Sequence, residues 1–137
     1  MKIRNGVLIE DDFISAFQEL MFRDMSVKQC HELSVCLEEI ISHIGIVRRT
    51  KSTLIRKYAK KDGDEFACDA DGNLLFETPD EKKKCTTEIG EVMLDTIDIP
   101  LTDPVVFYAD EVMTPRKYNL LKDIIQIVER EEISQPA

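Results

Sequence analysis

The chain has 137 residues, 43% of them hydrophobic, with 18 Lys and Arg against 27 Asp and Glu, a formal net charge of −9. That balance argues against general nucleic-acid binding, because phosphate is repelled, although an acidic surface can mimic nucleic acid. The length suits one domain with a core of its own, and no run of 18 uninterrupted apolar residues is present to cross a membrane.

The first elements are short. Lys2 to Ile9 reads as a strand or hairpin, with Asn5-Gly6 as the turn signal between apolar residues. Asp11 or Asp12 can cap a helix in which Phe13, Ala16, Phe17, Leu20 and Met21 form an apolar stripe at i, i+3, i+4, i+7 and i+8. A stripe of this kind is a core face before it is anything else. The brief link Arg23-Asp24-Met25 then predicts an antiparallel helical hairpin with the next helix.

The centre of the chain is Ser26 to Lys61, which has no proline and a single glycine, Gly45. Cys30, Leu33, Leu37, Ile40, Ile44, Val47, Leu54 and Tyr58 recur in threes and fours, the period of one helix face. Ser26 with Gln29 makes a capping-box start, and Asp62-Gly63 a plausible stop. At about 1.5 Å per residue this helix is roughly 50 Å long, more than a domain of this size covers, so part of it needs a partner.

Beyond Asp62 the pattern turns extended. Phe66-Ala67-Cys68 and Leu74-Leu75-Phe76 flank Asp69 to Asn73, a β-hairpin over 66–76. Thr78-Pro79-Asp80-Glu81 opens a helix over 78–94 by cap, first-position proline and capping box, with Cys85, Ile89, Val92 and Met93 as its stripe. Thr96 to Leu101 alternates as an edge strand, and Pro104 to Tyr108 is a second apolar run within a strand region 96–108. Thr114-Pro115 repeats the cap-plus-proline start. Tyr118, Leu121, Ile124, Ile125 and Val128 extend that helix over 114–131, before a polar tail at 132–137.

Charge is segregated. From Arg48 to Lys61 stand seven bases and no acid: Arg48, Arg49, Lys51, Arg56, Lys57, Lys60 and Lys61. Bases near a helix end suit its dipole, and a solvated face is the bland reading. Arg48 and Arg49 lie about three turns from the stop, too far to feel the dipole, so the functional reading is a docking surface. From Cys85 to Pro115 the acids Glu88, Glu91, Asp95, Asp98, Asp103, Asp110 and Glu111 have no Lys or Arg among them. The two runs are expected to pair within the chain, between copies head to tail, or with a foreign surface.

Signals for chemistry are weak. Asp69-Ala70-Asp71-Gly72-Asn73 invites calcium, but an EF-hand loop starting at Asp69 needs glycine where Leu74 stands and glutamate where Asp80 stands. The four cysteines, Cys30, Cys36, Cys68 and Cys85, include no C-x-x-C pair, and Met1-Lys2-Ile3-Arg4 opens no signal peptide, so reduced thiols in a cytoplasm are expected. A zinc site from His31, Cys36, Cys68 and Cys85 lacks the close ligand pairs such sites show. No nucleophile elbow, phosphate loop or dinucleotide fingerprint is present, so neither enzyme activity nor a cofactor or metal is expected.

The layout of these pieces resembles a class of small proteins encoded by tailed bacteriophages. The resemblance rests on Met1-Lys2-Ile3 with Asn5-Gly6 and on a long helix ending Arg56-Lys57-Tyr58. Asp62-Gly63-Asp64, Asp71-Gly72-Asn73, an acidic helix, the Thr96–Leu101 strand and Thr114-Pro115 complete it. The four cysteines depart from the usual look of that class. Membership implies a protein made in the bacterial host cytoplasm that enters the virion or acts on the host.

The sequence is therefore read as one α+β domain, mostly α. A long central helix in an antiparallel helical hairpin packs with two further helices and a small β-hairpin and edge-strand element. The expected function is non-enzymatic protein–protein contact, virion-associated or in assembly, with itself as one candidate partner and with no nucleic acid and no membrane. The competing readings are an inhibitor of a host defence or nucleic-acid enzyme working through the acidic surface, and a small-ligand module using Arg48, Arg49 and Lys51.

Overall fold

The computed structural model describes residues 1–130. The chain is an α+β fold, mostly helical, built in the order β1 (Lys2–Arg4), α1 (Asn5–Leu8), α2 (Phe13–Leu20), α3 (Val27–Tyr58), β2 (Lys61–Asp62), β3 (Glu65–Phe66), α4 (Pro79–Leu94), β4 (Thr96–Asp98), β5 (Val105–Tyr108), α5 (Pro115–Leu121) and β6 (Ile125–Val128). Its strands form three separate two-stranded sheets: β1 with β4 and β2 with β3, both antiparallel, and β5 with β6, parallel.

Three helix starts are fixed by their own residues. Ser26, Thr78 and Thr114 each accept, through the side-chain oxygen, the backbone N–H three residues on, and Pro79 and Pro115 sit in the first turn. The apolar stripe of α2 closes the core as its spacing predicts, with Phe13, Ala16, Phe17 and Leu20 buried. In α3 the sealed residues are Leu33, Cys36, Ile40, Ile44 and Val47. Leu37, Leu54 and Tyr58 are half-buried and Cys30 is exposed, so the stripe leans toward Cys36. One core joins the buried residues of α2 and Leu33, Cys36, Ile40 and Ile44 of α3 to Ile3, Leu8, Ile99, Leu101, Val105, Phe107, Leu120, Leu121 and Ile124.

Four boundaries differ from the sequence reading. Asn5-Gly6 makes no hairpin: the strand stops at Arg4 and the chain coils into α1. Asn5 is buried, giving its backbone N–H to the Asp95 carbonyl (2.8 Å) and its amide N–H to the Val92 carbonyl (2.8 Å). A Cβ on Gly6 would meet the Met93 carbonyl at 3.3 Å, so glycine is there to let α1 lie close on α4. The long helix ends at Tyr58 rather than Lys61, because Ala59 is extended and bridges to Phe76. Asp62 is then the last residue of β2 and Gly63-Asp64 the turn of the β2–β3 hairpin, with Gly63 at φ 66°, so Asp62-Gly63 is not a helix stop. The hairpin expected over 66–76 is a little narrower: the Leu75 N–H bonds the Ala67 carbonyl and the Asp69 N–H the Asn73 carbonyl (2.9 Å each) either side of the antiparallel bridge Cys68–Leu74. It turns at Gly72 (φ 83°), and the Asp69 carboxylate closes it by accepting the N–H groups of Asp71 and Asn73 (2.9 Å each).

The largest correction is at the C-terminal end. The helix expected over 114–131 stops at Leu121, and Ile125–Val128 is a strand lying parallel to β5. Ile124-Ile125-Gln126-Ile127-Val128 satisfies a helical stripe and a strand alternation alike. Its β-branched side chains and the open edge of β5 decide for the strand. The tail assigned to 132–137 lies outside the described residues.

Candidate protein-contact surface

The C-terminal half of α3 leaves the core behind. Val47 is the last of its fully buried residues, and Arg48, Arg49, Lys51, Arg56 and Lys57 are all exposed. At about 100° per residue they do not form a single line. Arg48, Arg49, Lys51 and Arg56 spread over one broad face with Ser52. Lys57 falls about 180° round from Arg48, on the opposite side. There it lies 5.0 Å from the centre of the Tyr58 ring. Tyr58, and after it the Glu88 carboxylate, hold the Lys57 ammonium above its ordinary pKa. Lys60 and Lys61 lie beyond the helix end, Lys61 in β2.

The side chains of Arg48, Arg49, Lys51 and Arg56 make no ion pair or hydrogen bond among the described residues. The charge here is thus bare cation on a helix face. What covers this half of α3 is α4, on the other side: Tyr58 donates its hydroxyl to Glu88 Oε1 (2.8 Å), and the Cys85 thiol reaches the Leu54 carbonyl (3.9 Å). Glu88 Oε2 is buried with no hydrogen-bond partner.

The acidic run does not form one face. Glu111 receives both guanidinium nitrogens of Arg23 at 2.9 Å and the Tyr108 N–H at 2.6 Å. Those bonds, the Arg23 pair first and the Tyr108 N–H second, hold its carboxyl down to about 2. Asp110 pairs with Arg130 at 3.2 Å, and that guanidinium lies 4.2 Å over the Tyr108 ring. Asp98 pairs with the N-terminal ammonium at 3.1 Å, Asp95 accepts the Thr96 N–H, and Glu88 accepts from Tyr58. Only Glu91 and Asp103 keep carboxylates without an internal partner among the described residues. Among the described residues the basic run and the acidic run therefore meet only where Lys57 approaches Glu88.

Two polar centres escaped the sequence reading. Arg23, taken as part of a link, anchors Glu111 across 88 positions and also donates to the Val106 carbonyl at 3.0 Å, with its guanidinium 3.8 Å over Phe107. Asn5 Oδ1 meets His43 Nε2 at 2.7 Å, so that nitrogen carries the proton and donates. No spacing rule reaches contacts this distant, although a lone base beside a helix end was available as a hint for Arg23.

The four cysteines are spread over the fold. Cys36 and Cys85 are buried and Cys30 and Cys68 exposed, all as free thiols. Burial first, and Glu39 after it, push the Cys36 thiol up to about 11, far from thiolate chemistry. Among the described residues no helix is long and apolar enough to cross a membrane, and no cluster of three or more His, Cys, Asp or Glu has metal-binding geometry. Comparison with protein-family models, with curated proteins and with solved structures yields no match to this chain.

Proposed function

We propose that the chain has no chemistry of its own and works as a protein–protein contact module whose basic α3 face captures an acidic surface on another protein. In the tailed-phage setting implied by the sequence layout, that role is virion association or assembly. One observation carries the reading: Arg48, Arg49, Lys51 and Arg56 stand exposed together, without an acid to meet them, on a chain whose net charge is −9. A row of like charges costs a little stability by self-repulsion. In return it steers encounter and sets register when a complementary row arrives.

A foreign partner is favoured over head-to-tail self-association through the acidic run. Five of that run's seven carboxylates are engaged internally: Glu88, Asp95, Asp98, Asp110 and Glu111. The same count weakens the reading as an acidic mimic. The test compares the parent with Arg48→Glu/Arg49→Glu in pull-downs from infected cells at low and moderate salt, with virion proteomics alongside. The double variant is expected to keep its fold and lose capture, and capture by the parent is expected to fall as salt rises. Equal capture by both proteins at both salts would reduce the face to solvated charge.

A further inference from the structure

The two outer edges of the β5–β6 sheet are treated differently. The Val105 N–H bonds the Ile124 carbonyl (2.9 Å) and the Ala109 N–H bonds the Val128 carbonyl (2.8 Å), which fixes the phase of the ladder. In β5 the groups facing away from β6 therefore belong to Val106 and Tyr108. Both residues are met there by side chains: Arg23 donates to the Val106 carbonyl, and Glu111 accepts the Tyr108 N–H. A single ion pair thus caps that edge against further pairing.

In β6 the outward groups belong to Ile125 and Ile127. Among the described residues no hydrogen bond reaches them from outside the sheet. Ile127 is 50% exposed and Gln126 is exposed too, and among the described residues no strand other than β5 pairs with β6. The other sheets offer no comparable strand. β1 and β4 are three residues long and carry Lys2, Arg4 and Asp98, while β2 and β3 are two residues long with Lys61, Asp62 and Glu65. From Ile124 to Val128 there is no charge at all.

We infer that β6 is the seam of a two-fold dimer, in which the β6 of a second copy pairs antiparallel with it to give a four-stranded sheet ordered β5, β6, β6, β5. Charge favours a second copy. Two molecules of net charge −9 repel over most of their surface, and this uncharged edge is where the backbones can approach without opposing like charges. Closure favours it as well. The capped β5 leaves one open edge per molecule in this sheet, so self-pairing ends at two chains and builds no fibre.

Register follows from the phase of the ladder. Placing Ile127 opposite itself on the two-fold axis sets Ile125 of each copy against Glu129 of the other. The outward N–H and C=O groups then exchange bonds throughout. Shifting so that Gln126 lies on the axis brings Asp123, in the turn after α5, toward Glu129, a like-charge approach that disfavours it. In the chosen register Ile127 loses its exposure against its own copy. So does the flank of the groove of about 350 Å³ that it shares with Tyr108 and Tyr118. A dimer also presents two basic α3 faces, which raises the avidity for a repeated acidic partner.

The experiment is a molar-mass measurement by light scattering over a concentration series, with amide hydrogen exchange at both ends of it. The parent is expected to approach twice 15.8 kDa, and the Ile125 and Ile127 amides are expected to gain protection as it does. Ile127→Lys leaves the backbone alone but sets two ammonium groups face to face, and is expected to stay monomeric with an unchanged circular-dichroism spectrum. Val106→Lys, on the capped edge, and Arg48→Glu/Arg49→Glu are expected to dimerise like the parent, which separates this seam from the partner-capturing face. A parent that stays monomeric would overturn the dimer, whether or not its edge accepts a strand from another protein. Unprotected Ile125 and Ile127 amides in a dimer, or an Ile127→Lys protein that still dimerises, would place any assembly elsewhere and overturn the seam.

Discussion

The two halves of α3 share one helix and differ in almost everything else. From Val27 to Val47 the helix is sealed: Leu33, Cys36 and Ile40 are at 0% exposure. Several of its polar residues there are tied to other elements, with the Thr102 hydroxyl donating to Glu32 at 2.6 Å, Gln29 reaching the Asp103 and Pro104 carbonyls at 3.3 Å, and His43 meeting Asn5 at 2.7 Å. From Arg48 to Tyr58 no residue is fully buried, and the side chains of the four bases on the broad face have no ion-pair or hydrogen-bond partner among the described residues. The first half holds the fold together by excluding water. The second half is carried by that stability and by α4 alone, which leaves its outer face available for a partner. A continuous helix can thus be structural at one end and a contact device at the other, because its rigidity costs nothing extra once nucleated.

The sharpest way to break this comparison is to put a charge into each half. Ile40→Asp buries a carboxylate with no partner among Leu33, Cys36 and Ile44. The cost is about 3–5 kcal/mol, a large share of the roughly 5–15 kcal/mol that holds a domain of this size together. The variant is expected to lose its cooperative melt by circular dichroism near room temperature. A parent-like melt would mean that the sealed half is not the core.

Next in size is the polar anchor of the same half. Asn5→Ala removes the amide that serves the Val92 carbonyl and the acceptor that meets His43 Nε2. Both partners lie in a site from which water is largely excluded, so the loss is about 1–3 kcal/mol in a urea melt. Asn5→Asp keeps an acceptor for His43 but sets a buried carboxylate oxygen against the Val92 carbonyl, and is expected to cost at least as much as Asn5→Ala. An Asn5→Ala protein as stable as the parent would mean that water replaces both bonds.

These examples show what was legible beforehand. Helix starts were, because Ser26, Thr78 and Thr114 act on N–H groups three residues away, a distance local sequence controls. The stripe of α2 was, because eight residues of one helix bury one face. Asn5-Gly6 was misread because a turn signal and a close-packing site use the same two residues, and only contact with Met93 separates them. Ile124 to Val128 was misread because a five-residue apolar run fits both periods, and the β5 edge that chose between them is distant in sequence. That Arg48, Arg49, Lys51, Arg56 and Lys57 stand exposed on the second half of α3 was legible from the run of bases. Their grouping was not, since helix phase turns Lys57 away toward Glu88. The acidic run was a list of charges, and only tertiary structure shows how many of them are already paired.

Gly45 stands at the border between the halves and gives a smaller, stabilising test. It is helical, half-buried, and a Cβ built on it meets nothing within 4 Å. Gly45→Ala is therefore expected to raise stability by about 0.5–1 kcal/mol, through the backbone freedom glycine loses on folding. A destabilised variant would mean that α3 bends or opens at this point in use, and that the halves are less rigidly joined than the continuous helix indicates.

The smallest expected effect on stability is the one the comparison needs most. Arg48→Glu/Arg49→Glu changes the charge of the outer half by four and removes no buried contact. Surface substitutions away from caps and cores shift stability by no more than about 0.5 kcal/mol. The new carboxylates also gain Lys51 and Ser52 as neighbours one turn on, which offsets any loss to the helix dipole. A urea melt of the double variant should overlay that of the parent, in contrast to the collapse caused by one carboxylate eight residues earlier at Ile40. If the double variant were destabilised by about 2 kcal/mol or more, within the range that losing a buried partner costs, the face would be structural. Its bases would then be holding the C-terminal end of α3 in place, and partner capture would have to be sought on another surface.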